Sequence, residues 1–149
     1  MTIDIGIAEQ VGVIADDFFT AMITGEPGSV HVVPTGTVTL QAPIHAWVDV
    51  DGSYPARALL STEEGTAHTI ARALLGMTPA EPVSEADLID AFGEMANVVG
   101  GNIKSLLPEQ GALTMPQVAL EPPAIDTPAL TEVDLDWDGR GLTIRIWKL

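Results

Sequence analysis

The chain has 149 residues, of which 46% are apolar and none is cysteine, and its formal net charge is -15, from 21 acidic and 6 basic residues. This length and composition predict one folded domain over residues 1–149 and exclude a wholly disordered chain. The acidic charge repels phosphate backbones and anionic lipid headgroups, so we expect neither nucleic acid nor a membrane surface as a partner. The lack of cysteine excludes disulfides, thiol catalysis and thiolate metal sites.

The N-terminal sequence "MTIDIGIAEQ" carries acidic residues where a signal peptide has basic ones. No run of about 18 apolar residues follows anywhere in the chain. We therefore expect a cytoplasmic location.

The first half of the chain predicts one helix and three strands. Apolar residues spaced by three or four predict a helix over residues 7–24, namely Ile7, Val11, Ile14, Phe18 and Met22. Residues 29–42, 43–53 and 56–62 are rich in β-branched and apolar residues and are bounded by Pro and Gly, which predicts three strands.

Two further helices are marked by capping patterns. Ser61 followed by Glu64 predicts a helix start, and Gly76 predicts its end. Ser84 followed by Asp87 opens the longest predicted helix, which closes near Pro108 and Gly111.

The C-terminal part predicts mainly strands. The proline-rich residues 112–130 indicate a strand followed by a surface connection, and residues 131–149 alternate around "DGRG" as in a hairpin. The total of three helices and about six mostly antiparallel strands predicts an α+β fold, with the longest helix packed on the sheet.

The longest helix has two distinct faces. At roughly 100° per residue, one narrow stripe is apolar and faces the core, formed by Leu88, Phe92, Met95, Val99, Ile103 and Leu106. Asp90, Glu94, Asn97 and Gly101 fall within about 60° of one another on the opposite side. Glu94 and Asn97 are therefore expected to face solvent as neighbours.

Three glycines accompany this polar stripe, Gly93, Gly100 and Gly101. Each glycine inside a helix costs about 0.5–1 kcal/mol relative to alanine, so we expect a compensating role. Two interpretations are open: the glycines leave a bare surface for another protein, or they let the helix pack closely on the sheet or on a neighbouring helix. From periodicity alone, Glu94 and Asn97 could also be an ordinary solvated pair.

No metal site is expected in the chain. His31, His45 and His68 lack the spacing of ligands, and the acidic pairs Asp16–Asp17 and Glu63–Glu64 are typical of helix starts and surfaces. The acidic run "EVDLDWDG" lacks the spacing of a calcium-binding loop.

The segment "DAFGEMANVVGGNIKSLL" resembles the signature helix of the CheX and CheC chemotaxis phosphatase family. That motif has Asp or Ser, three residues, Glu, two residues and Asn, which Asp90, Glu94 and Asn97 match. "GTVTLQ", "ARALLSTEEGTAHTIARALLGM" and "LTMPQV" follow the order of the family's elements, so the resemblance spans about residues 6–146.

The resemblance implies a CheC-like fold and a phosphatase for the aspartyl phosphate of a phosphorylated CheY-like response regulator. It implies that Asn97 orients the attacking water and that Glu94 contacts the regulator's lysine. Asp90, Gly93 and Gly101 are then expected to bind the partner. The chain is expected to need no cofactor of its own, and Mg²⁺ is expected on the regulator.

The first helix lacks a second Glu-x-x-Asn, which implies one site per chain, as in the CheX branch. That branch implies a homodimer joined by edge strands, and the terminal "GLTIRIWKL" either forms such an edge or pairs internally. Pro116 comes earlier than the proline of the two-site pattern. A non-catalytic adaptor that binds a regulator is the alternative function, and a dimerising structural domain is a further one.

Overall fold

Seven strands form one antiparallel sheet in the computed structural model, which describes residues 5–149. The strands are β1 (Val30–Val33), β2 (Pro43–Gly52), β3 (Ala56–Glu63), β4 (Gly111–Leu113), β5 (Gln117–Ala119), β6 (Thr131–Trp137) and β7 (Arg140–Lys148). Their order across the sheet is β1-β6-β7-β3-β2, with β4 and β5 both paired to the remaining side of β2. The predicted α+β fold is confirmed, with seven strands where about six were expected. The first four residues of the predicted domain, and with them the start of the N-terminal sequence, lie outside the described residues.

Three helices cover one face of this sheet. They are α1 (Ile5–Phe19), which continues into a π-helical turn over Thr20–Thr24, α2 (Glu64–Leu74) and α3 (Glu85–Lys104). α1 packs on β1 and β6, whereas α3 packs on β2 and contacts both other helices. The core lies between helices and sheet, and its largest fully buried side chains include Phe19, Leu60, Ile70, Phe92, Met95 and Ile144. Within residues 5–149, no helix is long and apolar enough to cross a membrane.

The first predicted helix is confirmed, but the prediction that Met22 belongs to its apolar face is wrong. Val11 and Phe18 are buried, whereas Met22 is 47% exposed. The chain changes to π-helical geometry at Thr20, and the wider turn alters which side chains face the sheet. Phe19 is fully buried instead, with its ring centroid 4.8 Å from that of Trp137.

The strand predicted over residues 29–42 is only four residues long. Beyond Val33, the backbone is held by Asp134, whose carboxylate accepts the N–H groups of Gly36 (2.9 Å) and Val38 (3.0 Å). Asp134 is 6% exposed, so these bonds satisfy a buried charge as well as two backbone donors. The alternation of β-branched residues gave no sign of this tertiary contact.

The predicted helix start at Ser61 is also wrong. Ser61 belongs to β3 and is 3% exposed, and its Oγ lies 2.6 Å from Nδ1 of His45. The N-cap of α2 is Glu63, whose carboxylate instead accepts the N–H of Ala42 at 3.1 Å. Pairing with β2 and β7 extends the strand through the residues that resemble a capping box.

The start of the longest helix is confirmed, since the Ser84 hydroxyl accepts the N–H of Asp87 at 3.1 Å. The helix ends at Lys104, earlier than expected. Ser105, Leu106 and Leu107 then make tighter i→i−3 bonds before Pro108 is reached.

The C-terminal hairpin is confirmed. Asp138 (φ 50°) and Gly139 (φ 82°) form its two-residue turn, and positive φ at both positions matches the twist of the flanking strands. β7 pairs with β6 on one side and with β3 on the other. The terminal strand therefore pairs internally, which decides between the two alternatives that the sequence left open for it.

Candidate active site on the third helix

The apolar stripe of α3 fixes which of its side chains reach the surface. Leu88, Phe92, Met95, Val99 and Ile103 are at most 7% exposed, and Leu106, just past the helix, is half-buried. These side chains pack on β2 and on α1 and α2. A long helix packed over five turns is a rigid support for the residues on its outer side.

The polar stripe lies on that outer side. Asp90 and Glu94 are exposed, Asn97 and Gly101 are half-exposed, and the predicted orientation is therefore confirmed. Within residues 5–149, the side chains of Asp90, Glu94 and Asn97 make no hydrogen bond or ion pair. By contrast, the amide of Asn102 on the same helix donates to the carbonyl of Val98 at 3.0 Å. The motif side chains are thus free to bind groups from outside the chain.

The carboxylates of this surface have no nearby compensating cation on their own helix. Asp87, Asp90 and Glu94 are all exposed, and the first basic residue of α3 is Lys104 in its last turn. Among the described residues, the salt bridges lie elsewhere and join Arg57, Arg140 and Arg145 to Asp49, Asp138 and Glu132. This acidic face attracts a cationic group from a partner.

The glycines of α3 face inward or sideways instead of flanking an open surface. Gly100 is buried, and a Cβ on it would overlap Val48 of β2. Gly93 is buried as well, which corrects the expectation that it forms exposed backbone for a partner. A Cβ on Gly93 would lie 3.6 Å from Cγ of Pro116 and 3.5 Å from Cγ2 of Val118. Gly101 is half-exposed, and its added Cβ would lie 3.8 Å from Leu113.

The predicted strand within residues 112–130 is a broken edge strand. β4 pairs with Val50–Gly52 of β2 and β5 pairs with His45–Trp47, which leaves residues 114–116 as a bulge between them. Thr114 anchors this bulge: its N–H donates to the Asp49 carbonyl at 2.8 Å, and its Oγ1 accepts the Asp49 N–H at 2.9 Å. The Asp49 carboxylate is itself held by Arg57 through two bonds of 2.6 and 2.8 Å, which raise the pKa of Arg57.

The sequence pattern did not single out this segment as a neighbour of the motif helix. Residues 111–119 run beside α3, and Met115 at the bulge is 82% exposed. The three glycines of α3 were the one sign of this segment in the sequence, because glycine in a helix indicates that another part of the chain approaches closely.

The histidines occupy three different environments. His31 is exposed, and His45 is 7% exposed and bonded to Ser61. His68 lines a cavity of about 470 Å³ with Glu64, Glu85, Ile44, Leu88 and Leu120, between α2, α3 and β5. In the part of the chain that the structure describes, no three His, Asp or Glu side chains are grouped to hold a metal ion.

Residues 44–144 match the sequence profile of the family described as chemotaxis phosphatase CheX. This match covers more than half of the chain and includes the whole of α3. The chain belongs to the CheX family. No curated protein sequence is detectably similar to it.

Solved structures of CheX and FliY proteins share the fold of this chain. A chemotaxis protein CheX from Desulfovibrio desulfuricans is 18% identical, with a TM-score of 0.71 over 97% of this chain and 100% of that one. CheX from Borrelia burgdorferi, in a CheX–CheY–BeF₃–Mg²⁺ complex, is 15% identical, with a TM-score of 0.72 over 97% and 98% of the two chains. FliY from Thermotoga maritima is 15% identical, with a TM-score of 0.58 over 99% and 92%.

Proposed function

We propose that this CheX-family chain hydrolyses the aspartyl phosphate of a phosphorylated CheY-like response regulator. Glu94 and Asn97 carry the proposal, because they project from a rigid helix and bind nothing within the described chain. Two findings support the choice of partner. The chain belongs to the CheX family, and it shares its fold with a CheX that was solved with CheY and Mg²⁺.

In the proposed reaction, Asn97 enters the regulator's phosphorylation site and positions a water molecule in line with the scissile bond. The water oxygen attacks phosphorus, the bond to the regulator's aspartate oxygen breaks, and inorganic phosphate and a free carboxylate result. An amide suits this task, because its oxygen accepts a hydrogen bond from the water and its NH₂ donates a hydrogen bond to a phosphoryl oxygen. Unlike a carboxylate, it adds no negative charge. Catalysis here consists of positioning.

Glu94 has a different proposed role. One helical turn before Asn97, its carboxylate accepts a charged hydrogen bond from the regulator's lysine and fixes the register of the two proteins. Asp90 and Gly101 lie on the same exposed stripe and are proposed as further contacts, whereas buried Gly93 would act only through the segment packed on it. The Mg²⁺ is proposed to belong to the regulator, with no cofactor on this chain.

The test is single-turnover hydrolysis of a phosphorylated regulator with Mg²⁺, with and without the purified chain. Asn97→Ala should lower the chain-dependent rate by about 10²-fold or more, since a positioned nucleophile is lost. Asn102→Ala is the matched control, because this exposed asparagine lies on the same helix but bonds to its own backbone. Full activity of Asn97→Ala would contradict the proposal, and binding without faster hydrolysis would identify a non-catalytic adaptor.

We further propose that the chain acts in the cytoplasm and forms a homodimer through a sheet edge, as its resemblance to the CheX branch implies. β7 is internal, so the edges open to a second copy are β1 and the broken edge formed by β4 and β5. Light scattering of the purified chain tests the dimer, and a monomer at micromolar concentration would contradict it.

A further inference from the structure

We propose that Met115, at the bulge between β4 and β5, is an apolar contact for the regulator's surface beside its phosphorylation site and sets the affinity for the regulator. The inference rests on the function proposed above and assigns a second element to the docking surface. It concerns the edge of the sheet and not the motif helix itself.

The position of Met115 follows from the contacts that surround it. Leu113 lies at the level of Gly101 of α3, and Pro116 lies at the level of Gly93. These two glycines are eight residues apart, or about 12 Å along the helix, with Asn97 midway between them. Residues 113–116 span this distance beside the helix, so the bulge passes the level of Asn97.

The chain is held in place on both sides of Met115. Thr114 is bonded through both its N–H and its hydroxyl to the backbone of Asp49. Pro116 packs against the backbone of Gly93. Met115 between them is 82% exposed, more than any other large apolar side chain within residues 6–149. A bulge that redirects a side chain beside a functional site is a recurrent use of this irregularity.

The surroundings of Met115 define the chemistry of its partner. Ile89 (42% exposed) and Leu120 (58% exposed) are further exposed apolar side chains near the start of α3, where Asp90 is also exposed. Apolar side chains next to unpaired acids fit a partner surface with a lysine beside apolar residues. The bulge runs beside the helix that carries Glu94 and Asn97, so the occupant we assign is the regulator. Methionine adapts its shape to such a surface.

The experiment measures the steady-state dependence of dephosphorylation on the concentration of phosphorylated regulator. Met115→Glu should raise KM on the order of tenfold and leave kcat unchanged, because a contact made equally in the ground state and the transition state affects binding only. Met115→Leu should keep KM near the parent value. Met22→Glu is the matched control, a second exposed methionine, on a different helix, and should change neither parameter.

Three outcomes separate this inference from the proposed function. An active parent protein whose KM is unaltered by Met115→Glu overturns the role of Met115 and leaves the phosphatase assignment intact. An inactive parent that still binds the regulator overturns the phosphatase assignment, and calorimetry with Met115→Glu then tests the contact by its Kd. A Met115→Glu variant that loses self-association while regulator binding is unchanged assigns the surface to a second copy of the chain and overturns the inference.

Discussion

The backbone of Gly100 in α3 lies so close to the side chain of Val48 in β2 that no Cβ fits between them. This contact sets the height of the motif helix above the sheet. It also explains why a helix that carries an exposed Glu94 and Asn97 has a glycine in the next turn, on its inner side.

Gly100→Ala is therefore expected to lower the free energy of unfolding by about 1–3 kcal/mol, the usual cost of forcing an extra methyl group into a packed core. Gly101→Ala is the control, since its Cβ would make an ordinary contact 3.8 Å from Leu113. It should be neutral or stabilise by about 0.5–1 kcal/mol through helix propensity. Urea unfolding measures both variants, and equal stabilities would contradict the close approach.

Glu94→Gln tests the proposed charge pair with the regulator. We expect kcat/KM to fall by about tenfold at low salt, because a charged hydrogen bond to lysine becomes a neutral one. The difference from the parent should shrink as NaCl is raised, since salt screens the parent's attraction. Glu109→Gln removes an exposed charge beyond the end of α3 and serves as the control. An identical salt dependence for parent and Glu94→Gln would count against the pair.

His45 should make the stability of the fold sensitive to mild acid. Burial, and then the charge of Arg145, lower its pKa from 6.5, while Glu121 opposes the shift. The unfolded chain then binds the proton more readily. The contribution of His45 to the free energy of unfolding is therefore full above about pH 6.5 and is lost as the pH falls from there toward the folded pKa.

Asp16 lowers the free energy of unfolding only in stronger acid. Burial raises the pKa of this carboxyl, but hydrogen bonds from the N–H groups of Gly28, Val30 and Ser29 outweigh burial and lower the pKa from 3.8.

The measurement is Tm between pH 7.5 and pH 5. His45→Gln should flatten the slope in this range, whereas His31→Gln, at an exposed position, should retain it. A parent protein with a constant Tm across the range would disprove the contribution of His45.

Ser84→Ala should lower the free energy of unfolding by about 0.5–2 kcal/mol, because the N–H of Asp87 loses its capping acceptor. The loss should leave kcat unchanged under folding conditions, since the cap is more than two turns from Glu94. Ser53→Ala, at an exposed loop serine, is the control and should have little effect. Equal unfolding midpoints for the two variants would show that the cap contributes nothing.

Local patterns predicted the features of α3 well. The Ser84 cap, the apolar stripe from Leu88 to Ile103 and the outward Glu94 and Asn97 all depend on spacing within one helix. The Asp138–Gly139 turn likewise depends on two adjacent residues. Local patterns failed where contacts with distant residues decide the structure. Ser61 has the pattern of a helix cap, but it pairs with His45 and belongs to a strand. Residues 34–42 have the pattern of a strand, but hydrogen bonds to Asp134 hold them as a loop.

The sequence by itself determined the acidic charge, the helix that carries the motif and the side of that helix on which Glu94 and Asn97 lie, because periodicity and capping act over a few neighbouring residues. The tertiary structure decided that Gly93 and Gly100 are buried, that β7 lies inside the sheet, and that the segment with Met115 runs alongside α3. These features depend on contacts between residues far apart in the chain. The register of the strands and the height of the helix over the sheet fix them.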